Sequence, residues 1–226
     1  MPRPDKFKVV LFDLGGTLIK TASVPEIYRR ILQVYGVNVS LDAISKAHGE
    51  NEKEFSLEKM VALQKGFWIR WNARVLERIG ISGNREFLAR KIDELWWDYA
   101  DLKAEPDAVE TVTQLKRKRI KVGVITNAFE GDYSKILQRL GWMDTFDVLV
   151  GIDACKRAKP NSEIFLYALN KLGINPQEVI FIGDSIKHDY EGAKKAGLKA
   201  LLINREGKSL ANVETITSLT EVLRYF

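Results

Sequence analysis

The stretch KVVLFDLGGTL, residues 8–18, is a short apolar run that stops at an aspartate and is followed by two glycines. A continuous apolar run, in contrast to an alternating one, predicts a strand of a parallel sheet that is covered on both faces. Similar apolar runs recur at residues 121–126, 179–182 and 200–203, and a weaker one covers residues 147–151. The chain therefore contains the strands of a buried parallel sheet.

Helical patterns separate most of these strands from residue 106 onward. Helices are predicted over 107–119, 132–140, 162–172 and 189–196. A glycine follows each of the last three, as expected for a left-handed cap at a helix end. Alternation of strands and helices predicts an α/β core with a doubly wound, Rossmann-like parallel sheet.

The segment between the first strand and this alternating region is different, because it contains no convincing strand. Helical periodicity predicts four helices, over 25–35, 41–49, 57–79 and 85–101. We therefore expect a discontinuous α/β core formed by residues 1–20 and 103–226. The inserted residues, 21–102, are expected to form a four-helix bundle.

Composition excludes several functional classes. The chain has 226 residues and a formal net charge of +5, which is too small to indicate a nucleic-acid partner. No apolar run reaches the roughly 18 residues of a membrane-spanning helix, so we expect no membrane partner. A single cysteine, Cys155, excludes an internal disulfide and fits a cytoplasmic protein. The sequence leaves open whether the protein is a monomer or a homodimer.

Polar residues follow several of the predicted strands, at the point where each strand ends. Because the carboxyl ends of parallel strands meet at one edge, we expect these side chains to converge. Three carboxylates beside a lysine and a hydroxyl group suit a hard cation such as Mg²⁺ together with an anionic ligand. The residues are Asp13, Thr126, Asn127, Lys159, Asp184 and Asp189.

The same stretches resemble the four motifs of the haloacid dehalogenase superfamily. They are FDLGGTL (12–18), ITN (125–127), Lys159-Pro160 and IGDSIKHD (182–189). The inserted helices are similar to the four-helix cap of the haloacid dehalogenase and phosphoglycolate phosphatase type. The resemblance implies a hydrolase whose cap excludes water from the site and selects the leaving group.

The resemblance also implies roles for Asp13 and Gly15 of the first motif and for Asp184 and Asp189 of the fourth. Asp13 would attack the phosphorus of a small phosphorylated substrate and form an aspartyl-phosphate, which water later hydrolyses. Mg²⁺ would be held by Asp13, Asp184 and the main-chain carbonyl of Gly15. Asp189 would orient Lys159 or a metal-bound water.

The second and third motifs would bind the phosphoryl group. The resemblance implies that Thr126 donates a hydrogen bond to a phosphate oxygen, with help from the backbone at Asn127. Lys159 would neutralise charge between the nucleophile and the phosphoryl group. Both motifs would then act as substrate-binding and catalytic elements.

The sequence departs from the family pattern at Gly15. Phosphatases of the family usually carry an aspartate at this position, which protonates the leaving alcohol and then activates water. Loss of a general acid/base typically lowers the rate by about 10²–10⁴-fold. Gly15 has no side chain that can do this work.

Four interpretations therefore stay open. A Mg²⁺-dependent phosphohydrolase, favoured here, would be slow, would use substrates with good leaving groups, or would use a water or His48 instead. A 2-haloacid dehalogenase releases halide without a proton, although the acidic Asp184 would have no use there. A phosphonatase-like hydrolase would need a lysine in the cap. The last interpretation is a phosphate- or Mg²⁺-binding module with little turnover.

Overall fold

The computed structural model describes residues 7–55, 57–63, 66–208 and 210–226. The chain forms two compact units. One unit consists of the described residues up to Lys20 together with Lys103–Phe226, and the other is Thr21–Leu102. We call them the core unit and the helical unit.

Six strands of the core unit form a parallel sheet in the order β5-β4-β1-β6-β7-β8, and β2 pairs with β3 in a separate antiparallel ribbon. The strands are β1 (Val9–Phe12), β2 (Ile19–Lys20), β3 (Lys103–Ala104), β4 (Lys121–Ile125), β5 (Val148–Val150), β6 (Val179–Gly183), β7 (Lys199–Ile203) and β8 (Thr215–Ile216). Every residue of β1 and β6 is buried, because their valine, isoleucine, leucine and phenylalanine side chains pack on both faces. The sheet confirms the predicted α/β class.

The order of the strands places a topological switch point at β1. The chain passes from β1 to β4 and β5 on one side, then returns to β6, β7 and β8 on the other side. Neighbouring connections therefore leave in opposite directions at the carboxyl end of β1, and ligands of such sheets bind in the resulting crevice. The fold thus directs attention to the residues that follow β1, β4 and β6.

The described residues also form α-helices. They are α1 (Val24–Val34), α2 (Leu41–Glu54), α3 (Leu57–Leu63), α4 (Phe67–Arg78), α5 (Arg85–Tyr99), α6 (Pro106–Arg117), α7 (Glu130–Arg139), α8 (Ile152–Cys155), α9 (Ser162–Leu172) and α10 (Gly192–Lys195). Short 3₁₀ turns cover Pro176–Glu178 and Leu219–Tyr225. None of the described helices combines the length and the apolar character that crossing a membrane requires.

The helix predicted over 189–196 is present as far as Lys195, but the helical structure begins three residues earlier and its first part is not an α-helix. A wide π-helical turn, Ile186–Glu191, leads directly into α10. The carbonyl of Ser185 accepts hydrogen bonds from the backbone N–H of both Asp189 (3.0 Å) and Tyr190 (3.1 Å), which widens the turn. Such π-helical turns occur frequently at functional sites.

The helical unit contains α1 to α5, with α5 packed against α1 and α4. Residues at i and i+4 spacing, such as Ile27 and Ile31, form the buried face of α1. A helix over 57–79 was predicted, but the chain forms α3 and α4 with Gly66 preceding the second. The φ of Gly66 is +93°, a left-handed conformation that a continuous right-handed helix does not contain. The described part of this unit therefore has five helical segments where the sequence predicted four.

Candidate active site

The first three motifs are fixed to the carboxyl edge of the sheet by backbone hydrogen bonds and by one amide side chain. The N–H of Asp13, directly after β1, donates to the carbonyl of Ile182 in β6 at 2.8 Å. The N–H of Thr126, directly after β4, donates to the carbonyl of Val150 in β5 at 2.9 Å. These bonds extend the hydrogen-bond ladder of the sheet by one residue beyond β1 and β4. The side chains of Asp13 and Thr126 therefore lie at the edge where β1, β4 and β6 end.

Lys159 reaches this edge although its own segment belongs to no strand. The side chain of Asn127 braces it from the second motif. Asn127 Nδ2 donates to the Lys159 carbonyl at 3.1 Å, and the Lys159 N–H donates to Asn127 Oδ1 at 2.7 Å. The amide of Asn127 therefore holds the backbone of the third motif, a role that residue type alone did not reveal.

The ammonium group of Lys159 lies between two carboxylates. Nζ donates to Asp13 Oδ1 at 2.5 Å and to Asp189 Oδ1 at 2.6 Å. The side chains of Lys159 and Asp189 are each 3% exposed and that of Asp13 is 11% exposed, so this cluster is largely closed to water. Buried charges of this kind persist only when they are paired and hydrogen-bonded.

Asp189 is held rigidly from two further directions. Its Oδ2 accepts a hydrogen bond of 2.9 Å from the backbone N–H of Ser185. Its carboxyl group also packs directly on the backbone of Gly183, where an added Cβ would lie 2.3 Å from Asp189 Cγ. Any residue larger than glycine at position 183 would displace the carboxylate. The contribution of Ser185 was missed by sequence reasoning, because a backbone donor leaves no trace in residue type.

Asp184 lies against the turn of the first motif. A Cβ added to Gly16 would lie 2.2 Å from Asp184 Oδ2, and the φ of Gly16 is +73°. Both facts require glycine at this position. One carboxylate oxygen from each of Asp13, Asp184 and Asp189 lies within 4.8 Å of the others.

The electrostatics of the cluster follow from its burial and its excess of negative charge. Burial, with the charges of Asp189 and Asp184, raises the pKa of Asp13 to about 7, against the opposing effect of Lys159. Burial and the charge of Asp189 also raise the pKa of Asp184. Burial alone would lower the pKa of Lys159, but the charges of Asp13 and Asp189 raise it above its ordinary value. Lys159 therefore stays an ammonium group.

These residues fit a divalent cation. Three carboxylates lie close together beside a single ammonium group, which pairs with two of them, so the cluster has an excess of negative charge that a cation would balance. Carboxylate oxygens are the hard ligands that Mg²⁺ and Ca²⁺ prefer. Asp13 and Asp184 are the better donors, because both oxygens of Asp189 already accept hydrogen bonds from Lys159 and Ser185.

The other predicted residues occupy distinct positions. Thr126 is buried, and its Oγ1 accepts a hydrogen bond of 3.3 Å from the N–H of Ala128, which leaves the hydroxyl proton for a ligand. Gly15 is exposed, and a Cβ added to it would meet no atom within 4 Å. A side chain at position 15 is therefore sterically permitted, in contrast to position 16.

His48, considered above as a substitute acid, belongs to the helical unit. Its ring contacts Trp71 edge-on with centroids 5.0 Å apart, and its Nδ1 lies 3.5 Å from Glu52 Oε1. Burial lowers its pKa, and the opposing charge of Glu52 does not compensate. Within its own unit, His48 is part of an aromatic cluster.

Replacement of Lys159 by methionine is expected to destabilise the protein by about 3–5 kcal/mol, because two buried carboxylates lose their shared counter-charge. The free energy of unfolding in urea, measured with a chelator present, tests this expectation. Lys156→Met, which removes an exposed lysine three residues away, is the matched control and should stay within about 0.5 kcal/mol of the native protein. A loss below about 1 kcal/mol for Lys159→Met would show that the carboxylates do not depend on the ammonium group.

Comparison with known proteins agrees with this architecture. A model of haloacid dehalogenase-like hydrolases matches residues 7–197. A phosphorylated carbohydrates phosphatase of Thermotoga maritima is 32% identical over 196 residues, 86% of this chain and 83% of that protein. A (S)-2-haloacid dehalogenase 4A of Burkholderia cepacia is 28% identical over 204 residues, 90% and 85% of the two chains.

A crystal structure of a putative beta-phosphoglucomutase from Thermotoga maritima has the same fold. It superposes with a TM-score of 0.77 at 26% identity, over 96% of this chain and 99% of that one. The family match covers most of the chain and includes every residue of the carboxylate–lysine cluster. The protein therefore belongs to the haloacid dehalogenase-like hydrolase family.

Proposed function

We propose that the protein is a Mg²⁺-dependent phosphohydrolase that acts on a small phosphorylated compound through an aspartyl-phosphate at Asp13. The observation that carries the proposal is the buried ammonium group of Lys159 between Asp13 and Asp189, with Asp184 beside them. A nucleophilic carboxylate with an adjacent cation and a cation site suits attack on an anion.

The first step uses the carboxylate of Asp13. Its Oδ1 is bound to Lys159, so we assign the attack to Oδ2. Oδ2 forms a bond to phosphorus while the bond from phosphorus to the leaving oxygen breaks, and the leaving group departs with the electron pair. Water then attacks phosphorus, releases inorganic phosphate and restores the carboxylate.

Asp13, Asp184 and the carbonyl of Gly15 would hold the metal ion. Bound there, Mg²⁺ would reduce the repulsion between the anionic nucleophile and the phosphoryl oxygens. The contact between Asp184 and the backbone of Gly16 supports this assignment, because it brings the fourth motif next to the turn that contains Gly15.

Lys159 and Thr126 would bind the phosphoryl group. The ammonium group supplies a permanent positive charge beside the nucleophile, and the Thr126 hydroxyl supplies a hydrogen-bond donor. The backbone at Asn127 would add a further donor, while its side chain keeps Lys159 in place. Asp189 would act through Lys159 as a positioning residue.

Gly15 determines which leaving groups this mechanism can serve. No carboxylate at position 15 protonates the leaving oxygen, so phosphates with acidic leaving groups, such as acyl or aryl phosphates, are the expected substrates. The same observation favours a second candidate, hydrolysis of a 2-haloacid, because a halide needs no proton. Asp184 argues against it, since an additional negative charge would repel a carboxylate substrate.

The two candidates are separated by one pair of assays. We expect hydrolysis of p-nitrophenyl phosphate and acetyl phosphate in the presence of Mg²⁺, and none in the presence of a chelator. The dehalogenase candidate predicts chloride release from 2-chloropropionate with the chelator present. Inertness of both phosphates, with or without Mg²⁺, would rule out the proposed phosphohydrolase.

The affinity of the protein for Mg²⁺ should depend on the carboxylate of Asp184. We expect Asp184→Asn to weaken Mg²⁺ binding by at least about tenfold, because a carboxylate ligand is replaced by a neutral amide. Calorimetric titration with Mg²⁺ measures this directly, without reference to turnover. Asp153→Asn, which changes a carboxylate near the end of β5, is the control and should keep the native affinity. Equal affinities for both variants would remove Asp184 from the ligand set.

A further inference from the structure

We propose that Arg205 is a positioning residue for the turn that follows Asp13. Arg205 stands two residues beyond β7 and nearly two hundred residues from the first motif. Its Nη2 nevertheless donates a hydrogen bond of 3.0 Å to the main-chain carbonyl of Thr17. The structural part of this proposal concerns the turn alone, and only its consequence for the metal ion rests on the proposed function.

The same guanidinium group is anchored on its other side at the start of α6. Nη1 donates to Asp107 Oδ2 at 2.8 Å, and Nη2 donates to Asp107 Oδ1 at 3.1 Å. Nε lies 3.9 Å from Glu105 Oε1. A planar guanidinium group with five donors can span Asp107 and Thr17 at once, whereas a lysine ammonium group acts as a single point of charge.

Asp107 is a fixed point rather than a mobile surface carboxylate. Its Oδ2 also accepts hydrogen bonds from the N–H of Leu219 (2.8 Å) and from the Ser218 hydroxyl (3.0 Å). The start of α6 and the C-terminal 3₁₀ turn are therefore joined at one carboxylate. Arg205 connects the Thr17 carbonyl to this junction.

Thr17 lies in the turn whose shape the site needs. The carbonyl of Leu14 accepts from the N–H groups of Leu18 (2.9 Å) and Ile19 (3.0 Å), and the N–H of Gly16 donates to Ile19 at 2.9 Å. The Thr17 side chain contributes little, because its buried Oγ1 has no hydrogen-bond partner among the described residues. Two bonds therefore tie this turn to the segment around α6: the one from Arg205 to the Thr17 carbonyl, and a backbone bond of 2.8 Å from the N–H of Glu105 to the Leu18 carbonyl.

Displacement of the turn would reach the metal site directly. Gly15 and Gly16 belong to the same turn, and the backbone of Gly16 contacts the carboxylate of Asp184. On the proposed function, Gly15 also offers its carbonyl to the metal ion. Loss of the Arg205 bond should therefore loosen the turn and weaken the binding of Mg²⁺.

The test compares Arg205→Gln and Arg205→Lys with Lys199→Gln. Lys199, the first residue of β7, forms an ion pair with Glu214. Its side chain is 32% exposed and that of Arg205 is 31% exposed. Hydrogen exchange, followed by mass spectrometry, measures the amides of residues 14–19. We expect exchange about tenfold faster in Arg205→Gln, since a charge-assisted hydrogen bond is lost, and native exchange in Lys199→Gln.

The exchange rate in Arg205→Lys should fall between those of the native protein and Arg205→Gln, because the lysine ammonium group can reach only one of the two partners, Asp107 or the Thr17 carbonyl. Mg²⁺ titration of Arg205→Gln should show affinity lower by about tenfold, as for other residues that orient metal ligands. Exchange in Arg205→Gln equal to that in Lys199→Gln would overturn the positioning role. Absence of Mg²⁺ binding by the native protein would instead contradict the proposed function, and the exchange result would still decide the role of Arg205.

Discussion

Replacement of Asp13 by asparagine is expected to reduce hydrolysis of p-nitrophenyl phosphate by about four orders of magnitude or more. An amide cannot form the acyl phosphate, and residual turnover would come only from binding and charge stabilisation. The fold should survive, because Lys159 keeps its second carboxylate partner, Asp189. Initial rates under saturating Mg²⁺ measure the effect.

Asp144→Asn provides the control, since it makes the same chemical change in an exposed turn of the core unit. It should retain native rates and the native circular dichroism spectrum. If Asp13→Asn retained more than about a hundredth of the native rate, a group other than Asp13 would have to be the nucleophile.

Introduction of a carboxylate at position 15 is expected to have the second largest effect, in the opposite direction. Gly15→Asp should raise the turnover of alkyl phosphates by about 10²–10⁴-fold, because it supplies a general acid for the leaving alcohol. The structure has room for it, since a Cβ at Gly15 meets no atom within 4 Å and its φ is outside the left-handed region. Neighbouring carboxylates would favour the protonated form of the new one.

The increase in turnover of Gly15→Asp should depend on the leaving group and on the ionisable carboxyl group of the new aspartate. Aryl phosphates with acidic leaving groups should gain little, so the dependence of the rate on leaving-group pKa should flatten in Gly15→Asp. Gly15→Asn, with the same shape but no ionisable group, should leave the rates for alkyl phosphates unchanged. Equal rates for Asp and Asn at this position would mean that another group already protonates the leaving oxygen.

The parallel sheet and the order of the motifs could be predicted from the sequence because both depend on local patterns. Apolar runs such as 179–182 are sufficient to indicate buried strands, and the residues that follow them must meet at one edge. The predicted α/β class follows from these features alone. The two-residue strands β2 and β3 are too short for any pattern to indicate.

Other features depend on backbone conformation or on distant contacts, which composition does not encode. The division between α3 and α4 rests on the left-handed φ of Gly66, whereas the surrounding periodicity favoured one continuous helix. The wide turn before α10 rests on a carbonyl at Ser185 that two N–H groups share. Arg205 contacts both Thr17 and Asp107, which lie far from it in the sequence.

In the proposed mechanism a phosphoryl group becomes bonded to Asp13. The most direct measurement is rapid acid quenching of a single turnover with acetyl phosphate and Mg²⁺, followed by mass spectrometry of the peptide that contains Asp13. We expect a phosphoryl adduct on Asp13 that forms and decays within the turnover, and that does not form in the presence of a chelator. Release of phosphate by an active enzyme with no adduct on Asp13 at any quench time would contradict this mechanism.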